Sequence, residues 1–512
     1  MSDRDIRAPG KTRGLVWTAA ACITVSLLWM IAIAVAGPSI TVPAMPHSSF
    51  GPPWWLSLHL PNDFVLFTMW GAAIVATIGV GAGLLAVARG ARPPVKPLLA
   101  VSFIAIAAFT VLAPAGSTDT QSYAIDGNMV VLGHSPYVYT PLQMTKLGDR
   151  LADNSPSTWQ QSLSDYGPIA TGEEWVSAEL GGSSMAAITF WLKLWVAIAF
   201  AAVVLLLDRL CRGDPAKRLR AHLLWSVNPL LLWEVVASGH IDGFAVAFGL
   251  AGLALLRFLP PDRRPELWRC AAAGALLGVA AATKSPFALF AVAALWAVRR
   301  SPAGIGAVAA GWLATVVPSY AIAGMPAVRV LYQRGSTQVT WDNLYQVFYR
   351  PLGLAGPIGA DHIPAHLATI ALACVVIVAL LAFFRLPDGV PGLPAVTPAL
   401  ALSLAFIFFY PFQRPWYDVM IIALLALYPR SWLDGVVLVR LCFGAITYME
   451  SATLANSNWV QHIQFLQGDW VTPSVRFLAA AALVWMCVTG RWGTQPSEAA
   501  ADVKPPVLQP QT

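Results

Sequence analysis

Charge is what this sequence has least of. Only 11% of its 512 residues are Asp, Glu, Lys or Arg, against 57% hydrophobic, and the mean hydropathy is +0.63. A soluble domain carries roughly 25% charged residues, so a water-soluble globular chain is excluded. Cysteine is scarce as well: the six present lie in or beside apolar runs and none forms CxxC. That pattern indicates neither a disulfide framework nor a zinc site. G-x-x-x-x-G-K-[ST], H-E-x-x-H and G-x-S-x-G are missing from any plausible context, so neither nucleotide-hydrolysis nor zinc-protease machinery is indicated. An activated donor delivered by a lipid fits better than a nucleotide sugar, and no cofactor or metal is expected. No internal repeat of the transporter kind is apparent. The net charge of +6 and the pI near 9.0 come without a basic-aromatic patch in any polar segment. Nucleic acid is therefore not a partner, and the excess base is assigned to cytoplasmic anchoring residues.

What is present is a succession of apolar runs. Residues 1–13 carry Arg4, Arg7, Lys11 and Arg13 and read as a cytoplasmic tail. The run from Leu15 to Ala36 is long enough to span at about 20 residues and too long for a cleaved leader. Further spans are expected near 64–88, 98–114, 185–207, 222–236, 242–257, 270–283, 286–298, 304–323, 365–385, 396–410, 416–428, 433–448 and 474–490. The count is thus about 14 in an all-α polytopic membrane protein. Several are short; 222–236/242–257 and 270–283/286–298 each read as a hairpin, or one of the two pairs as a broken helix. Lys and Arg cluster at 4–13, 89–96, 209–220, 257–269, 299–300, 385 and 491. Placing every cluster inside puts 37–62, 116–184, 237–241, 284–285, 324–364, 411–415 and 449–473 on the extracytoplasmic side. The chain thereby divides into the tail, a transmembrane domain over 14–490, and a disordered cytoplasmic tail over 491–512.

The segment 116–184 follows the third span and is the longest non-apolar stretch. Its aromatics and tight-turn residues argue for an ordered loop, and it is expected to hold the active site. Ionisable groups at membrane depth are functional candidates by default, and here they gather on the outer side: Asp119, Asp126, His134, His240, Asp242, Lys284, Arg334, Asp342, Arg414, Tyr417, Asp418, Glu450 and His462. A carboxylate beside several cations suits removal of a proton from a hydroxyl with release of an anionic phosphate. Each residue also has a plainer role open to it. Asp119 suits an N-cap before Ser122-Tyr123, and Asp126 a solvated loop position. His240 and Asp242 suit a capped turn, and Lys284 snorkelling to the interface. Arg334 and Arg414 suit headgroup anchoring, while Glu450 and His462 lie in an aromatic-polar loop.

The order of these motifs resembles the GT-C superfamily of multi-spanning glycosyltransferases that use polyprenyl-phosphate sugars. Within it the likeness is to the actinobacterial polyprenyl-phosphomannose-dependent mannosyltransferases of lipomannan and related glycolipid synthesis. Asp119, Ser122-Tyr123, Gly127, Gly133 and Pro136-Tyr137 match the family's Asp-x-x-Ser-Tyr-x-x-x-Gly and Gly-x-x-Pro-Tyr. Tyr166-Gly167-Pro168, Asn228-Pro229 with Gly239-His240-Ile-Asp242, Lys284, and Pro415-Trp416-Tyr417 follow in order. Thr120-Gln121, Ser135 and Ile241 depart from the family pattern, which leaves sugar and acceptor open. The resemblance implies Asp119 as the catalytic base of an inverting transfer on the extracytoplasmic face of the plasma membrane.

Lys284, His240, Arg334 and Arg414 are the expected donor-phosphate ligands. Tyr123, Asp126, His134, Tyr137, Asp242, Trp416, Tyr417, Glu450 and His462 are the expected substrate contacts. The expected partners are a polyprenyl-phosphate sugar donor, most simply mannose, a glycolipid or glycan acceptor, and membrane lipids. Polyprenyl-phosphate arabinose or glucose would share the chemistry. A lipid-linked sugar transporter or flippase is the competing reading, disfavoured because the charges lie on one face.

Overall fold

The computed structural model describes residues 10–48, 51–257, 265–335, 339–352, 365–387, 390–449 and 457–493. Among these the regular structure is helical, with β contacts limited to two isolated bridges, Ser39–Val42 and Trp54–Leu112. Helices α1 (Gly10–Ala36), α2 (Asn62–Ala88) and α3 (Val95–Val111) come first. The polar segment follows as α4 (Asp119–Val131), α5 (Pro141–Lys146) and α6 (Pro168–Gly181), and α7 (Met185–Leu210) returns the chain to the bundle. The expected 116–184 loop is thus largely helical. Thr140 and Gln143 form a reciprocal capping box at the start of α5, the kind of local signal that supports a helix in a polar stretch.

Among the described residues, six helices are long and apolar enough to cross a membrane. The remaining apolar helices are of 10–17 residues, such as Val95–Val111, Leu267–Thr283 and Val396–Phe409. The sequence's tally of about 14 spans therefore counts several elements that fall short of a full crossing by length. Pro215–Ala237 and Asp242–Leu255 are apolar enough to cross only as one unit, bent by 114° at their junction, the geometry of a broken span or a re-entrant loop. The second pair breaks at Lys284, whose backbone is extended between Leu267–Thr283 and a short turn at Ser285–Phe287. Such breaks at membrane depth are tolerated where protein or a wet cavity covers the freed backbone. The expected outer stretch 449–473 also differs, since a single helix runs Asn458–Thr489.

Small residues let the bundle close. A Cβ at Gly311 would lie 2.0 Å from the Ala271 carbonyl oxygen, and one at Gly274 2.1 Å from that of Val308. Helices Leu267–Thr283 and Pro302–Ala323 therefore touch backbone to backbone, the contact that replaces hydrophobic driving force where lipid is the solvent. The outer faces of Pro302–Ala323 and Ala365–Arg385 expose Val317, Ile322, Leu372 and Phe384, as a lipid-facing surface would.

Candidate active site

Two junctions bring the Asp119 and His240 segments together. Between α3 and α4, the Ala115 N–H donates to the Ala237 carbonyl (3.0 Å) and the Gly116 N–H to that of Thr41 (2.7 Å). The Ser238 hydroxyl donates to the Ala115 carbonyl at 2.7 Å. Lys193, fully buried on α7, donates to the Leu112 carbonyl at 2.7 Å. These bonds fix the start of α4 against the bend that carries Gly239-His240.

Asp119 is the first residue of α4, and its own N–H donates to the Ser117 hydroxyl at 3.0 Å. The Thr118 side chain does not cap that helix, and its first N–H is met by Ser117, so the Asp119 carboxylate is not spent on capping. It faces His240 Nε2 at 3.4 Å and the Tyr123 hydroxyl at 3.5 Å. His240 is fully buried, with Nδ1 against the Glu234 carbonyl oxygen and its ring stacked on Trp416 at 3.7 Å between centroids. A carbonyl only accepts, so Nδ1 carries a proton and Nε2 is the atom left for Asp119. Tyr123 also bonds the Tyr166 hydroxyl at 2.8 Å. Burial pushes the Asp119 carboxyl up, but the His240 hydrogen bond and charge, with Arg414 and Lys284, hold it below the ordinary 3.8. The base candidate is thus ionised at neutral pH.

The cations differ in kind. Lys284 is paired, its Nζ 2.7 Å from Asp242 Oδ2, and lies over the Tyr417 ring at 4.2 Å and the Tyr166 ring at 5.1 Å. Arg414 has no carboxylate at ion-pair distance among the described residues. Its guanidinium sits among Tyr448 at 4.4 Å, Phe412 at 4.9 Å and Trp416 at 5.9 Å. An aromatic cage holds a cation without neutralising it, so Arg414 keeps its donors for an anion.

Three cavities meet here. A small chamber of about 50 Å³ is lined by Asp119, Tyr123, Asp126, Tyr166, Arg414 and Tyr417. On one side it shares Asp165, Tyr166, Phe412 and Tyr417 with a cavity of about 300 Å³ that holds Lys284 and is walled by Leu289, Val292, Leu331 and Phe406. On the other it shares Asp119, Trp159, Arg414 and Trp416 with a cleft of about 520 Å³ lined largely by polar and aromatic residues. Asp126 reaches the chamber because it follows Asp119 by seven residues on one helix face.

The structure therefore brings together Asp119, His240, Asp242, Lys284, Arg414, Tyr123, Asp126, Trp416 and Tyr417. His240 touches Asp119 from behind and lines none of the three cavities. Tyr137 also sits behind the chamber, bonded to the Tyr166 carbonyl and the Thr171 hydroxyl. His134 packs on Tyr139 and faces a separate cavity of about 1030 Å³ beside Asn128 and Asp149. His462 is exposed on the Asn458–Thr489 helix, away from these cavities. Glu450 and the Arg334 side chain lie outside the described residues. Sequence reasoning passed over Tyr166 and Lys193 as site residues. Tyr166 stood inside a quoted motif, and Lys193 was an ionisable group within an apolar run, which is itself a signal.

A family model described as the alpha-(1->6)-mannopyranosyltransferase N-terminal domain matches residues 15–300. An alpha-(1->6)-mannopyranosyltransferase of Mycobacterium tuberculosis is 28% identical over 164 residues, covering 30% of this chain and 27% of that protein. Alpha-(1->6)-mannopyranosyltransferase B of Corynebacterium glutamicum is 26% identical over 156 residues, 29% of this chain and 25% of that one. The chain spans about a quarter of the length of these curated relatives. The crystal structure of ArnT from Cupriavidus metallidurans bound to undecaprenyl phosphate aligns at 17% identity with a TM-score of 0.30, over 64% of this chain and 68% of that one. So loose a superposition carries no argument about the site. The family match takes in both junction segments, Asp119 and His240 included, and extends over more than half of the sequence; the chain belongs to the MptA/B family of alpha-(1->6)-mannopyranosyltransferases.

Proposed function

We propose that this protein is an inverting membrane mannosyltransferase that takes mannose from a polyprenyl-phosphate donor on the extracytoplasmic face. The observation that carries the reading is the Asp119 carboxylate, ionised and aimed by His240, at the meeting point of an apolar cavity and a polar cleft. A polyprenyl chain suits the apolar cavity, and its phosphate then comes to Lys284, Tyr166 and Tyr417 where that cavity opens into the chamber. Asp119 lines the chamber and the cleft but not the apolar cavity. Phosphate and base thus lie on opposite sides of a sugar held in the chamber, as in-line displacement requires. Asp119 takes the proton of an acceptor hydroxyl as its oxygen bonds to the anomeric carbon. The bond from that carbon to the phosphate oxygen breaks, and the electron pair leaves with the polyprenyl phosphate. Lys284 offsets the charge that develops there, while Arg414, which like Asp119 lines the chamber and the cleft, helps keep the base ionised. Mannose as the sugar follows the names of the relatives.

The test is transfer of labelled mannose from decaprenyl-phosphate mannose by the full chain in nanodiscs. Asp119→Asn keeps the volume and removes the basic oxygen. The expected loss is about 10²–10⁴-fold in kcat at normal expression. Wild-type turnover by the variant would exclude Asp119 as the base, and no transfer by the wild type would exclude this donor.

A further inference from the structure

Resting on that reading, we infer that the polar cleft beside Asp119 is an extended subsite for a hydrated glycan chain of two to three sugars, with Trp341 as its stacking platform. The acceptor is then recognised by its glycan and not by a lipid tail. The two cavities that open on the chamber differ in chemistry. One is walled by Leu289, Val292, Leu331 and Phe406, whereas the cleft is bounded by Ser117, Thr118, Gln121, Ser157, Thr158 and Thr447 around three indole rings. Pockets of roughly 300–1,000 Å³ hold drug-sized ligands, a size that a di- or trisaccharide shares, and the cleft is of about 520 Å³. Alternating hydroxyl edges and apolar ring faces are what a sugar presents, and an indole matches the apolar face while its N–H serves the edge.

Trp341 is the unusual member. It is 36% exposed, yet the residues on either side are buried: Thr340 at 2% and Asp342 at 0%. The Thr340 N–H donates to the Pro411 carbonyl at 3.1 Å, and Asp342 pairs with Arg476 at 2.8 Å and accepts from Tyr448 at 3.2 Å. The indole's benzene edge lies against bare backbone at Gly468, where an added Cβ would fall 1.8 Å from the ring. A large apolar ring is thus anchored from both flanks and from behind while one face stays open to a polar cleft. Core packing needs no such exposure, and a lipid-facing tryptophan needs no such anchoring. Trp159 and Trp416 lie in both the cleft and the chamber, so a glycan on Trp341 continues toward Asp119 with its terminal hydroxyl foremost.

The experiment uses the full chain in nanodiscs, decaprenyl-phosphate mannose as donor, and soluble methyl glycosides of one, two and three α-(1→6)-linked mannoses as acceptors. In the wild type, acceptor KM is expected to fall with each added sugar. Trp341→Ala and Gly468→Ala, which displaces the indole without removing it, should each raise the trisaccharide KM about three- to tenfold, the scale of one aromatic contact. They should leave donor KM and the monosaccharide KM unchanged. Quenching of tryptophan fluorescence by the trimannoside without donor should weaken in parallel, a binding readout independent of turnover. A wild type that transfers mannose with no dependence on acceptor length, or a Trp341→Ala variant with an unaltered length dependence, would overturn the subsite. A wild type that transfers to none of these acceptors but does transfer to a lipid-anchored mannoside would overturn it too. Absence of all transfer would instead strike the parent reading, and in that case retained trimannoside quenching lost in Trp341→Ala would still support the cleft as a glycan site.

Discussion

His240, an ionisable residue in a turn at membrane depth, is expected from the sequence as a donor-phosphate ligand. The structure instead places its Nε2 3.4 Å from Asp119 and its ring flat on Trp416. On the mechanism proposed above, its effect on the reaction runs through the carboxylate it faces, the part of a positioning residue. His240 lowers the Asp119 pKa through its hydrogen bond and charge, against the burial that raises it. His240→Gln removes the imidazole and keeps a polar head. The Asp119 pKa then rises, so at a given acidic pH more of the base is protonated and idle. The expected outcome is an acid limb of kcat/KM displaced to higher pH, with the plateau rate at alkaline pH less affected. A rate reduced equally at every pH would show that His240 serves only to pack Trp416.

At the scale of elements, the site depends on α4 and α6 lying closer than side chains allow. A Cβ at Gly127 would fall 2.2 Å from the Glu174 carbonyl oxygen, and one at Gly167 2.0 Å from that of Ala282. Helix α6 is thereby held against both α4 and the break that carries Lys284, which puts Tyr166 between Tyr123 and Lys284. The same helix buries Glu173 and Glu174 without hydrogen-bond partners. Burial raises the Glu173 carboxyl to about 8. The native state then keeps a proton that the unfolded chain, with an ordinary glutamate pKa near 4.3, releases. Stability is full below the unfolded value and falls as pH rises toward 8. Glu173→Gln is expected to flatten that decline in the thermal unfolding of detergent-solubilised protein between about pH 5 and 8, and an unchanged slope would place the titrating group elsewhere.

These packings explain what the sequence could and could not disclose. Asp119 with Ser122-Tyr123, the Gly239-His240 bend and Lys284 were legible because polar residues interrupting apolar runs stand out. The helices of 116–184 were not, because α6 is amphipathic only in part and buries two glutamates on its inner face. Nor could spacing reveal that Asp242 would occupy Lys284 and leave Arg414 as the caged, unneutralised cation. Lys284 pairs with an acid 42 residues away, and Arg414 acts through its charge on Asp119, 295 residues away.

At the scale of the whole molecule, the charges sort to the two ends of α7. Its start, at Met185, packs near α4 and α6, and its end carries Asp208, bound by Arg218 at 2.6 Å, Arg212 at 3.2 Å and His222 at 3.0 Å. Twenty-six helical residues span roughly 39 Å, more than a hydrocarbon core of about 30 Å. If α7 crosses the bilayer, the basic cluster and the Asp119 chamber are expected toward opposite faces. Arg220 strengthens the basic end, with Asp434 at 2.5 Å and the carbonyls of Leu425 and Tyr428 at 2.8 and 2.7 Å. Because short loops rich in Lys and Arg stay in the cytoplasm, we expect the chamber to open outward. Sidedness is best probed at Ser183 and Gly213, both exposed and at opposite ends of α7; Ser155, though in the same polar segment, is buried. Ser183→Cys should react with a membrane-impermeant maleimide in intact cells, and Gly213→Cys only after lysis, with the wild type as the background for its native cysteines. Labelling of Gly213→Cys in intact cells together with protection of Ser183→Cys would invert the molecule and put donor and acceptor in the cytoplasm. Labelling of both would mean that α7 does not cross, and the chamber would then have to be reached from one aqueous side by both substrates.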